Sequence, residues 1–381
     1  MSNRKLAILG IVAALMVVIL TVTEARKHMG PVGASGTALP LIQGLDPARI
    51  ASIVIGRGEG VTRLVRQGRR FVVENKDGYP ASTSKVNRLI ASCLDIRTME
   101  LITGNPANHE SLNVSEEKAQ NIVKFLGGDG QVITGVIVGS SRLPELQMEK
   151  RSTYVRLIGS NDVYEAQDVP LPESSPMDYV EKEIVDVDRS DVVRVTVIGP
   201  EGNYTLRADD SNDDNIVLDD IPEGKKLKTS DCREVLSALS SLSFNDVKKE
   251  SSDEEGKLKF DNTYVSALKD STVYTFKIAE ADGKTYVKCS AQYTGEPPRI
   301  LESGEELKDK EAKLLARDRA ADFTKRHQGW VYEVSEWKAK NLVRKLADLL
   351  EEEKPKAQEL KDANQPSTGG AGGPAESTQP E

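Results

Sequence analysis

Apolar positions along this chain follow three different rhythms. From Leu6 to Val22 no charged residue interrupts the run. As a helix rising about 1.5 Å per residue, that run is roughly 26 Å long and crosses a bilayer when barely tilted. Beyond Leu45 the apolar positions alternate in short stretches between turn residues, the mark of antiparallel strands. Twice that alternation gives way to an amphipathic spacing of three and four, which predicts one helix over Ser82–Ile96 and another over Ser230–Leu242.

The pattern also repeats. An offset of 142 residues carries Leu45, Asp46, Ile50, Ile53 and Ile55 onto Val187, Asp188, Val192, Val195 and Val197. Asp46 before Pro47 reads as an N-cap with proline at the first helical position, a short turn feeding a strand. Arg63 and Leu64 match Thr205 and Leu206, and Phe71 to Val73 match Ile216 to Leu218, which adds two strands to each copy. In the helices, Val86, Leu89, Ile90, Cys93 and Ile96 correspond to Cys232, Val235, Leu236, Leu239 and Leu242.

By composition alone Ser115–Leu126 passes for a capped helix, but its partner Thr263–Leu268 is β-branched and aromatic, so Asn121–Leu126 is predicted as a strand. Gly127, Gly128, Asp129 and Gly130 then turn it into Val132–Val138, the counterpart of Val273–Ile278. Tyr154–Leu157 and Val163–Ala166 close the first copy, and Tyr286–Cys289 and Val331–Val334 close the second.

The copies part between Gly295 and Gln328, where the second carries a charged insertion. Ser303 and Glu306 suggest a capping box ahead of Leu307, Leu314, Leu315 and Phe323, a helix with a narrow apolar stripe. After it, Trp337, Leu342, Val343, Leu346, Leu349 and Leu350 trace a further stripe, read as a C-terminal helix docked on the domain. The expected organisation is therefore α+β: an anchor at 1–26, a spacer at 27–44, and a first unit at 45–170. A second unit is expected at 171–352 with its insertion at 295–328, and a disordered tail at 353–381. Each unit is expected to set antiparallel strands against one packed helix.

Charge narrows the partners. The net charge of -9 opposes phosphate backbones, which need a basic surface, and nucleic acid is excluded on that ground. Arg4 and Lys5 precede the apolar run, while Glu24, Arg26 and Lys27 come after it, so the short N-terminus is expected in the cytoplasm and the bulk outside. A signal peptide cleaved near Thr23, Glu24 and Ala25 is the competing reading.

No residue set has the spacing of a catalytic, cofactor or metal site, so none of these is assigned and no enzyme is expected. His28, His109 and His327 are far apart in sequence, and Cys93, Cys232 and Cys289 each match an apolar residue of the other copy, which makes them small core hydrophobes. Gly56, Gly58 and Gly60 read as a hairpin turn. Asp209, Asp210, Asp213, Asp214, Asp219 and Asp220 form an acidic run without EF-hand spacing, read as a solvated loop rather than a calcium site.

The order of the membrane helix, "LDPARIASIVI", "VNRLIASCLDI", "GVIVG" and "DVYEA" resembles an uncharacterised bacterial family, well over Leu6–Asp168 and more loosely beyond. Its members are membrane-anchored proteins typically encoded beside ABC transporters of the gliding-motility type. The resemblance implies a periplasmic, non-catalytic scaffold or accessory module on the inner membrane, with a membrane partner such as an ABC transporter complex. The alternative is an extracytoplasmic ligand-binding or hydrolytic protein with a cleft between the units, for which Tyr154, Tyr286 and the acidic loops are the candidate residues.

Overall fold

The computed structural model describes residues 38–142, 152–167, 169–209, 212–219, 221–252, 258–296 and 304–353. The Leu6–Val22 run, the His28 spacer and the tail beyond residue 353 lie outside them, as does Ser303 of the expected capping box. Among the described residues no helix is long and apolar enough to cross a membrane. Across those residues the fold is mostly antiparallel sheet with four helices, and they divide into two compact units between Lys182 and Glu183.

The first unit holds β1 (Leu39–Pro40), β2 (Ser52–Ile55), β3 (Thr62–Gln67), β4 (Arg70–Val73), β5 (Tyr79–Pro80), α1 (Thr83–Leu94), β6 (Arg97–Thr103), β7 (Asn121–Leu126), β8 (Val132–Arg142), β9 (Ser152–Leu157) and β10 (Val163–Gln167). They form one sheet in the order β1-β6-β10-β9-β8-β7-β2-β3-β4-β5. Asp46 accepts from the Ala48 amide at 2.9 Å and so starts the turn ahead of β2. Ser82 caps α1 through the Lys85 amide, a contact worth about 1 kcal/mol. α1 turns Val86, Leu89, Ile90 and Cys93 inward. At about 1.5–3 kcal/mol for each large side chain taken out of water, that face fixes the helix far more firmly than its cap does.

Alternation puts Val123 and Val136 on one face of the sheet and their neighbours Ile122 and Ile137 on the other. The segment between β6 and β7 lies over the second face, where Val114 and Ala119 close a core with Ile122, Ile137 and Val163. Arg156 is buried there, donating Nε and Nη2 to the Val114 carbonyl at 3.0 and 2.8 Å and Nη1 to that of Ser160 at 2.8 Å. Residues 169–182 return to the first sheet: Asn121 donates to the Pro172 carbonyl, the Ser82 amide to that of Tyr179, and Lys85 Nζ to that of Val180.

The second unit holds β11 (Glu183–Val185), β12 (Val192–Gly199), β13 (Gly202–Asp209), β14 (Asn212–Leu218), β15 (Lys225–Leu227), α2 (Thr229–Leu236), β16 (Leu242–Lys249), β17 (Asn262–Leu268), β18 (Thr272–Ala281), β19 (Lys284–Tyr293), α3 (Gly304–His327), β20 (Trp330–Val334), α4 (Glu336–Leu342) and β21 (Leu350–Glu352). Its main sheet runs β11-β16-β20-β19-β18-β17-β12-β13-β14, which repeats the first nine positions of the other sheet ten strands later. β15 leaves that order and pairs with β21. Tyr264 in β17 donates its hydroxyl to the Val235 carbonyl of α2 at 2.8 Å, placing α2 over the buried face.

α3 finishes an edge. β20 pairs with β19 only from Thr285 to Val287, so among the described residues the rest of β19 lacks a strand on that side. There the Thr324 hydroxyl of α3 donates to the Ala291 carbonyl at 2.6 Å and accepts from the Ala291 amide at 2.8 Å. One side chain thus serves both groups that an added strand would bind. Ala316 and Ala320 form the buried line of α3, and Phe323 stands edge-on to Tyr274, ring centres 5.0 Å apart. Leu315, expected in the apolar stripe, is instead 54 % exposed: the small alanines allow the close approach, and the leucine lies off that line.

Other expectations are corrected. α2 ends at Leu236 with Ser237 as its cap; turns follow, Ser241 takes a left-handed conformation (φ 48°), and Leu242 opens β16. The apolar period of both helices runs on into the unforeseen strands β6 and β16. The continuous C-terminal helix is absent: α4 stops at Leu342, a 3-10 turn spans Leu346–Leu349, and β21 comes next. Lys345 is extended and caps the 3-10 turn, whose Asp348 amide donates to the Lys345 carbonyl at 3.1 Å, and Leu350–Glu352 then pair with β15.

Candidate functional site

The segment after β20 begins with two turns of helix whose inner face is small. Ala339 and Leu342 are buried, three residues apart, while Trp337 lies two residues from Ala339 and so on the opposite side of α4. Trp337 is 68 % exposed, more than any other large hydrophobic residue among those described. The apolar spacing had placed it on the docked stripe. Lys338 lies over its ring at 4.5 Å and donates Nζ to the Ser240 carbonyl at 2.9 Å.

Residues 343–352 strap α4 to the sheet. Arg344 turns inward, its side chain 6 % exposed, and donates Nη1 to Asp231 and Nη2 to Glu234 of α2, both at 2.6 Å. Its carbonyl accepts from the Tyr204 hydroxyl of β13 at 2.8 Å. Burial pushes that phenol well above its ordinary pKa, so it stays a donor at any working pH. Farther on, the Lys228 amide donates to the Leu349 carbonyl at 2.8 Å and β21 pairs along β15. Charge-assisted bonds to a buried guanidinium are among the stronger side-chain contacts, so α4 is held as a fixed ridge.

Trp337 divides two grooves. One, of about 610 Å³, is lined by Glu280, Thr285, Lys340, Arg344 and Asp348. The other, of about 470 Å³, is lined by Ser230, Arg233, Glu234, Ser237 and Asn341. An exposed aromatic on a held helix between two grooves lined in part by charged residues can seat against another macromolecule, with the apolar ring at the centre of the contact and charged groups around it.

The residues weighed from sequence lie elsewhere. Tyr154 packs against the core beneath the segment that joins β6 and β7. Tyr286, in the other unit, has Lys248 Nζ over its ring at 5.2 Å. Asp219 pairs with Arg207 at 3.1 Å; Asp210 and Asp220 lie outside the described residues, and the side chains of Asp209, Asp213 and Asp214 are not described. His109 is buried with Nε2 3.0 Å from the Asn161 carbonyl. The three thiols are buried and unoxidised, and burial pushes Cys93 up to about 12 and Cys232 up to about 11. Such thiols pack rather than react. Within each unit, the structure brings none of these described residues into one site. Trp337 and Arg344 escaped sequence reasoning, although the offset between Trp337 and the Ala339–Leu342 face was a usable signal.

Among known proteins, the sequence model of a family described as Domain of unknown function (DUF4340) matches residues 72–263. The match runs from β4 to β17, crosses the boundary between the two units, and ends before α3 and α4. No curated protein and no solved structure matches.

Proposed function

From the premise that the chain belongs to the DUF4340 family, we propose that it is a non-catalytic docking module held at a membrane, built from two copies of one sheet-and-helix unit. Leu6–Val22 is the anchor in this reading, and it leaves the two units on the periplasmic side of the bacterial inner membrane. The partner is a membrane protein complex, with an ABC transporter assembly as the favoured kind.

The observation that carries the reading is Trp337, most of its ring in water, on a helix immobilised by Arg344. A large ring costs free energy when left in water and contributes most when a partner covers it, which is why tryptophan is enriched where binding energy concentrates. Support for a scaffold also comes from Arg156 and Arg344, two strongly hydrogen-bonding side chains that serve to fix segments onto sheets.

Trp337→Ala should leave the melting temperature nearly unchanged, because the ring is exposed. It should weaken co-purification of the membrane partner from mild detergent at least tenfold, as loss of a hot-spot side chain costs about 2 kcal/mol or more. Equal recovery of partner by the two proteins, at equal expression, refutes the reading.

A further inference from the structure

His327 occupies an unusual place for an ionisable side chain. It ends α3, is 1 % exposed, and places Nδ1 2.7 Å from the Tyr332 hydroxyl of β20. Phe323 lies 4.4 Å from its ring and Tyr332 5.4 Å, centre to centre. Nε2 is buried with no hydrogen-bond partner among the described residues. A neutral imidazole tolerates that arrangement as an unprotonated Nε2 facing apolar surroundings, with Nδ1–H donating to Tyr332. A proton on Nε2 would create a buried charge with no acceptor.

Among the described residues no carboxylate relieves that charge. Arg326, one residue back, is the charged group that acts on the ring, and it opposes protonation. On β20, Tyr332 presents a hydroxyl, and the neighbouring Trp330 ring carries Lys249 of β16 at 5.7 Å. From β18, Tyr274 reaches the group only through Phe323. Glu250, whose amide binds the Gly329 carbonyl, has its carboxylate 2.6 Å from Lys288 Nζ.

We propose that His327 is an acid-sensitive latch that holds the C-terminal half of α3 against β19 while the ring is neutral and releases it on protonation. Thr324 lies one turn before the latch, so release also withdraws the hydroxyl from Ala291 and uncovers the edge of β19 beyond Val287. Among the described residues the first sheet has no counterpart of α3 between β9 and β10.

Burial lowers the ring's pKa to about 4 from an ordinary 6.5, with Arg326 adding to the effect. The undocked helix therefore takes up a proton that the docked one refuses as pH falls from about 6.5 to 4. Docking is fully favoured above that window and is lost through it. A difference of this size corresponds to roughly a 100- to 300-fold change in the docking equilibrium.

Hydrogen exchange on the full chain in detergent micelles, corrected for intrinsic rates, reads that change directly. Protection of the amides from Ala316 to Gln328 and of Ala291 should fall about 100-fold between pH 7 and pH 4. His327→Gln keeps an N–H donor for Tyr332 but cannot be charged, and should lose the pH dependence in those amides alone; His327→Phe should do the same if the glutamine variant folds poorly. Protection that stays constant to pH 4, or that falls equally in wild type and either folded variant, overturns the proposal.

Discussion

Gly139 lies in β8, the longest strand of the first sheet, where the backbone of residues 112–114 passes close above it. A Cβ at this position would stand 2.5 Å from the Leu112 carbonyl oxygen and 2.6 Å from Val114 Cγ1. Those atoms belong to the segment that closes the second core, and the Ser140 amide and hydroxyl bind the same Leu112 carbonyl. Gly139→Ala must therefore lift the segment, at a cost of about 1–3 kcal/mol in urea unfolding with little change in slope. At this scale the sequence was informative where spacing encodes direction. Val86, Leu89, Ile90 and Cys93, and in the other copy Cys232, Val235 and Leu236, are all buried as their period required. It was silent on Arg344, because the carboxylates that draw it inward, Asp231 and Glu234, lie more than a hundred residues away. Trp337 was misplaced for a related reason: hydropathy alone ranks tryptophan above alanine as a core residue, yet Ala339 faces the sheet.

Between elements, Thr324 and a line of small side chains dock α3 together with Phe323, His327 and the Arg319–Asp270 pair. Thr324→Val keeps the shape and removes both bonds to Ala291, leaving a covered amide and carbonyl unpaired. The expected loss is about 2–3 kcal/mol by denaturation, and an undiminished midpoint would show that α3 is held by packing alone. The strands from Asn121 to Val138 were legible because a second copy of the pattern excluded the helix that composition permits. β6 and β16 were hidden because the helical period runs on to Ile96, directly before β6, and to Leu242, the first residue of β16. The C-terminal strand β21 was hidden because its partner is β15, so no local period could report it.

Two sheets that share nine strand positions differ in what the second one adds: α3 along an edge, and α4 with its strap on the buried face. The segments that distinguish this chain from a plain duplication therefore gather in the unit that carries Trp337. The family match spans β4 to β17 and ends before α3 and α4. An excess of acidic over basic residues, 60 against 51, keeps such a surface soluble and leaves specificity to the local ridge. The most direct measurement places a photo-crosslinking aromatic amino acid at position 337 in intact cells, with a second chain carrying it at the exposed Leu171 of the first unit. The account predicts a discrete adduct with an integral membrane protein from position 337 and none from position 171. No adduct at 337, or the same adduct from both positions, would contradict it.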